Sequence, residues 1–315
     1  MSTSNSISQQ ALQQAAEWSI ELETQPPCAA FERWRQAAPE HQAAWDKIQR
    51  LKARFDSLEQ DPRATRVLLN APERTLERRD FIRRLGALGV LGVGLGWLTS
   101  QSPLPTLASN LSSDVHTGVG ERQQLATQSG TLWLNTLSAA NVSDRQSHVH
   151  CTLTSGELAF YAKPSQRVHI NSGNTDILCH AGQVSCRQLD DDQLLIANFS
   201  GRTQVITPQG QRILDGAQTV RVHQGVISAV RPSQPHHISW TQGRLDSIDL
   251  PLATFIHELS RHTIGHIQLD ERLTEHPISG SFPLQPVDDA LALLAQVAPI
   301  KLHQPLPYLT FIEMA

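Results

Sequence analysis

Leu85-Gly86-Ala87-Leu88-Gly89-Val90-Leu91-Gly92-Val93-Gly94-Leu95-Gly96-Trp97-Leu98 carries no charge, and Arg78, Arg79, Arg83 and Arg84 crowd its N-terminal side. The chain is polar and helix-like before this run and strand-like after it, so the reading of the fold turns on it. With Phe81 and Ile82 in front and Thr99 behind, the run approaches the ~17 residues that cross a thin hydrocarbon core. No Lys or Arg follows until Arg122. The positive-inside rule then puts the N-terminus in the cytoplasm and the C-terminus outside, and a single membrane-spanning helix is expected within residues 73–100.

The basic flank is ordered as well as charged. Arg78-Arg79-Asp80-Phe81-Ile82-Arg83 has the paired arginines, spacer, Phe and aliphatic residue of a twin-arginine export motif. Arg78, Arg79, Phe81 and Ile82 are therefore candidate export residues. The plainer reading gives the arginines a topological role alone.

A chain of 315 residues predicts two or three domains. Its net charge of -4 gives no basic footprint, which argues against direct nucleic-acid binding as the main role. Of four cysteines, Cys28 falls before the apolar run and Cys151, Cys179 and Cys186 after it. Either Cys151 pairs with one of the other two, or all three are buried thiols.

Residues 1–72 read as a small α-helical bundle. Leu12, Ala15, Ala16, Ile20 and Leu22 form one apolar stripe and Ala43, Ala44, Ile48, Leu51 and Phe55 another, with Pro26-Pro27 between them. Trp18, Trp34 and Trp45 are half of the chain's six tryptophans, in a segment too small to hide them all. Core packing accounts for some of them. An incompletely covered aromatic face would wait for a partner helix.

Residues 101–238 read as a Ser/Pro/Asn-rich linker and then an all-β domain, its short strands punctuated by Ser129-Gly130, Ser155-Gly156, Ser172-Gly173, Ser200-Gly201 and Gln209-Gly210. Residues 239–315 change period again. Helical stripes opened by Pro251 and Pro286, each between strand-like pieces, predict a small α/β module built as a strand-helix-strand half-repeat.

Three spacings carry a resemblance. Ala15-x-x-Trp18, Phe31-x-x-Trp34 and Pro39-Glu40-His41-Gln42-Ala43-Ala44-Trp45 resemble the N-terminal domain of the FecR family of transmembrane sigma-factor regulators. Gly130-Thr131-x-x-Leu134-Asn135-x-x-Ser138 and Ser155-Gly156-Glu157-Leu158-x-Phe160 are similar to its central domain, and Ile278 to Leu284 with Asp289 to Leu294 to its C-terminal segment, itself like the signalling modules of secretins and TonB-dependent receptors. The resemblance implies a single-pass inner-membrane protein, its C-terminus periplasmic. It would relay the state of a TonB-dependent iron-siderophore receptor to an extracytoplasmic-function sigma factor. It also implies that Trp18, Trp34 and Trp45 contact the sigma factor and that Phe282 and Leu284 face the receptor's signalling domain; the chain is expected to persist at full length, any release of the N-terminal domain being left to regulated proteases. Many members cleave themselves at a central Gly-Thr pair. Here Ala181-Gly182 stands in that place, without a hydroxyl to attack.

An enzyme reading finds no site, cofactor or metal set. In His257-Glu258-Leu259-Ser260-Arg261-His262 the histidines are five apart where a zinc-protease helix needs four. The remaining alternative, a periplasmic secretin-like assembly protein, leaves residues 1–72 unexplained.

Overall fold

The computed structural model describes residues 7–24, 26–59, 114–145, 148–189 and 192–315. The apolar run, the arginine motif and the linker lie outside the described residues.

Three helices open the chain: α1 (Gln9–Thr24), α2 (Ala29–Ala37) and α3 (Pro39–Glu59). The Ser8 hydroxyl caps α1 by accepting from the Ala11 amide and donates to Glu40 on α3. Leu12, Ala15, Ala16, Ala44 and Ile48 are fully buried along the two predicted stripes, whereas Ile20 is left exposed.

The central unit is one mixed sheet of 13 strands. Its strands are β1 (Val115–His116), β2 (Gln123–Ala126), β3 (Gly130–Leu134), β4 (Ala139–Arg145), β5 (His148–Ser155), β6 (Glu157–Ala162), β7 (Arg167–Ser172), β8 (Thr175–Gln188), β9 (Gln193–Thr207), β10 (Gly210–Asp215), β11 (Gln218–His223), β12 (Val226–Ile227) and β13 (Arg231–Pro232). Neighbours run antiparallel except β5 and β7, which are parallel. The long β8 is the axis: residues 175–180 pair with β7, residues 183–187 pair with β6, and β9 follows its other edge. Between the halves the register slips, Ala181 takes φ 43°, and Gly201 opposite takes φ 73°. A Cβ on Gly182 would run into the Ser200 carbonyl oxygen, so the bend needs glycine there. Bending lets the sheet close over a core that includes Leu132, Leu158, Phe160, Ile170, Ile177 and Ile196.

The C-terminal unit follows α4 (His236–Ser239). Strand β14 (Arg244–Pro251), α5 (Leu252–Ser260) and β15 (His266–Leu269) form one half-repeat, and β16 (Pro277–Pro283), α6 (Val287–Val297) and β17 (Ile300–Leu306) the other. Pro251 and Pro286 stand at the two helix N-caps. A final strand, β18 (Leu309–Met314), completes a β15-β18-β17 sheet, while β14 and β16 pair separately. Phe255, Leu259, Leu291, Leu294, Phe282 and Ile312 join helices and sheets in one core.

Two expectations are corrected. No helix among the described residues is long and apolar enough to cross a membrane, so the expected membrane-spanning helix is not supported. The packing runs against it too. Ala11, Leu12, Ile48 and Leu51 share a core with Leu306, Tyr308, Leu309 and Phe311, a contact that an intervening bilayer would prevent. The second concerns Phe282 and Leu284. They are 3% and 1% exposed, with the Phe282 ring 4.7 Å from that of Phe255, and so offer no surface to a receptor.

Candidate functional site

The structure gathers the three tryptophans of the helical unit around one buried ring. Phe31 is 2% exposed. Trp45 meets it edge-on at 4.7 Å, Trp18 edge-on at 5.7 Å, and Trp34 stacks on it at 6.2 Å. Sequence spacing explains the convergence: Phe31 and Trp34 lie one turn apart on α2, and α1 and α3 each contribute one tryptophan from the side.

All three tryptophans remain half-buried. Trp34 is held most firmly. Its Nε1 donates to Gln14 Oε1 at 2.8 Å, its carbonyl oxygen lies 2.8 Å from His41 Nδ1, and the His41 ring stacks on it at 4.9 Å. Arg35 lies over the Phe31 ring at 5.4 Å while pairing with Glu32 at 2.7 Å. Glu17, Glu21 and Glu23 are exposed nearby on α1, with Glu23 paired to Lys52 of α3. The result is a pre-formed, partly wet aromatic surface with acidic margins. Such a surface suits an apolar helix with basic flanks.

A second cluster was not read from the sequence. Arg187 on β8 donates to both oxygens of Glu258 on α5 at 2.6 and 2.8 Å. Arg261 joins Glu258 at 3.2 Å and Glu157 of β6 at 2.7 Å, and Glu157 also accepts from Asn135 at 2.8 Å. Burial alone would raise the Glu258 carboxyl, but Arg187 and Arg261 outweigh it and hold it down at about 2. Burial also holds the neighbouring His237 and His262 imidazoles down at about 3, with His236 and Arg261 respectively adding to the effect. The helix that looks briefly like a zinc site thus spends its glutamate on a buried ion network binding the C-terminal unit to the β unit. The signal available in the sequence was a charged Arg187 near the end of a strand, and Glu258 and Arg261 one turn apart.

The thiols are settled as well. Cys151, Cys179 and Cys186 are free and buried, and burial pushes Cys151 up to about 12; Cys28 is free and exposed. A cleft of ≈590 Å³ at one end of the β unit is lined by amides and hydroxyls such as Gln188, Gln193, Ser172 and Thr175. Asp192 is its one titratable side chain among the described residues, which provides no acid-base pair. Arg78, Arg79, Phe81 and Ile82 lie outside the described residues.

Residues 13–51, which span the aromatic cluster, match a family described as a domain of unknown function, DUF4880. No curated protein matches the chain. Two crystal structures of a candidate anti-sigma factor from Parabacteroides distasonis ATCC 8503 are similar in fold. Each is 16% identical and covers 64% of this chain and 98% of its own, with TM-scores of 0.51 and 0.49.

Proposed function

We propose that this chain is an anti-sigma regulator whose helical unit, residues 7–59, grips a sigma factor through Trp18, Trp34 and Trp45. The observation that carries the reading is the half-buried aromatic cluster around Phe31, preassembled on three short helices. Aromatic side chains of this kind supply most of the energy at helix-groove interfaces and need little reordering on binding. The fold likeness to the Parabacteroides protein supports it. In the finer form of the reading, the sigma factor is of the extracytoplasmic-function type. The α/β unit, by its resemblance to receptor signalling modules, takes its cue from a TonB-dependent receptor of iron uptake. No catalytic step belongs to the reading.

The test is co-purification of the full-length chain with candidate sigma factors. Trp34→Ala and Trp45→Ala should each weaken binding by about 2 kcal/mol, the range of an interfacial hot spot. Circular dichroism of the same variants checks that the helices persist. Wild-type binding by both variants with helices intact would sink the proposal.

A further inference from the structure

The helical unit has a thin interior. Of the eight buried apolar side chains of its helices four are alanines, Ala11, Ala15, Ala16 and Ala44; Leu12, Ile48 and Leu51 share their core, and Phe31 sits in the aromatic cluster. The remaining large side chains of that core, Leu306, Tyr308, Leu309 and Phe311, come from the far end of the chain. Leu309 and Phe311 of β18 are fully buried on the helix side, while Ile312 of the same strand points into the C-terminal unit's own core. Polar contacts cross the same seam. Lys47 Nζ donates to His266 Nε2 at 2.9 Å, and Gln9 Nε2 donates to Glu313 Oε1 at 2.9 Å. The Phe55 and Tyr308 rings lie 5.6 Å apart.

Helices of 16, 9 and 21 residues with so few large buried side chains are marginal by themselves. We propose that the outer face of the β15-β18-β17 sheet is the docking platform on which residues 7–59 of this chain depend for their fold. The tryptophan cluster is then assembled only while the C-terminal unit supports it. The dependence rests on packing alone; its consequence for a sigma factor rests on the function proposed above. A ligand that draws on the C-terminal unit would loosen the helices and dissolve the aromatic surface, which gives a signal a direct route through one core.

Hydrogen exchange read by mass spectrometry on the full-length chain tests this without any partner present. Tyr308→Asp withdraws the ring from Phe55 and sets a carboxylate near Glu23 and Asp56, whose charges already reach the Tyr308 hydroxyl. Phe55→Glu breaks the contact from the other side, and Tyr308→Phe keeps it. Amides of α1 and α3 should exchange about 10-fold faster or more in Tyr308→Asp and Phe55→Glu. Those of α5, α6 and β17 should keep their protection, and Tyr308→Phe should match the wild type. Helices that stay protected in both charged variants would overturn the proposal, as would loss of protection in Tyr308→Asp extending equally through α5 and α6. Neither outcome touches the co-purification result, so the two readings fail separately.

Discussion

Glu258→Gln should cost about 3 kcal/mol of stability at pH 7. The substitution keeps the shape of the side chain and removes its charge, depriving Arg187 of its carboxylate and leaving Arg261 with Glu157 at the seam between the β and α/β units. The carboxyl is displaced from 4.5 to about 2. At about 1.36 kcal/mol per pKa unit this corresponds to roughly 3 kcal/mol favouring the ionised form, at the lower edge of the ~3–5 kcal/mol seen when a buried pair loses one partner. Urea unfolding at fixed pH provides the measurement. Because the folded pKa is depressed, the contribution is complete above 4.5 and is lost as the pH falls toward 2, so wild type and variant should converge over that window. Arg187→Met should cost a similar amount, whereas the pair Arg187→Met with Glu258→Leu should recover most of it, since an apolar replacement strands no charge. A single-variant cost under about 1 kcal/mol, or a cycle of Arg187→Met, Glu258→Leu and their double variant that is additive within about 0.5 kcal/mol, would refute the idea that these groups act as one lock.

Three further outcomes are expected. His237, His262 and His266 are held down at about 3, 3 and 4, from 6.5; their stabilising contribution is full above 6.5 and lost as the pH falls toward 4, so the urea midpoint should drop between pH 7 and pH 5, before Glu258 begins to titrate. Equal midpoints at the two pH values would contradict this. Gly182→Ala should destabilise by about 2 kcal/mol or more by forcing a Cβ onto the Ser200 carbonyl, and the wild-type chain, lacking a hydroxyl at that position, should run as one band when tagged at both ends; two complementary fragments from purified protein would reverse that view.

The fold was legible where the chemistry is local. Pro251 and Pro286 each pre-set the start of a helix, and β3 and β7 alternate buried and partly exposed residues as a one-sided strand must. Reading by punctuation failed at Ser200-Gly201. That pair is not a turn but the bend inside β9, so the strand stretches on either side of it are one. A glycine that relieves a close approach and a glycine that reverses the chain look alike in sequence; what separates them is the partner strand, which only the paired sheet supplies. The segment around Ala181 carries a positive φ because β8 must serve β7 and then β6.

The site was legible in composition and illegible in context. Three tryptophans in a short helical segment announce a surface, and the structure brings them to one buried phenylalanine. That the same helices would spend their opposite faces on β18 had no local signature. Leu309-Thr310-Phe311-Ile312 is buried toward two different cores, so it shows neither the alternation of a one-sided strand nor a helical stripe. The charged residues at the other seam follow the same logic. Arg187 and Glu258 are 71 positions apart and look like isolated polar interruptions until the fold pairs them. Long-range burial thus ties residues 7–59 to residues 300–314, and residues 157–187 to residues 258–261. A disturbance at the α/β unit therefore has two packed routes outward, an apolar one to the aromatic surface and an ionic one to the β sheet. Weakening either should leave the other's hydrogen-exchange protection in place if the units are coupled pairwise through the α/β unit rather than unfolding as a single body.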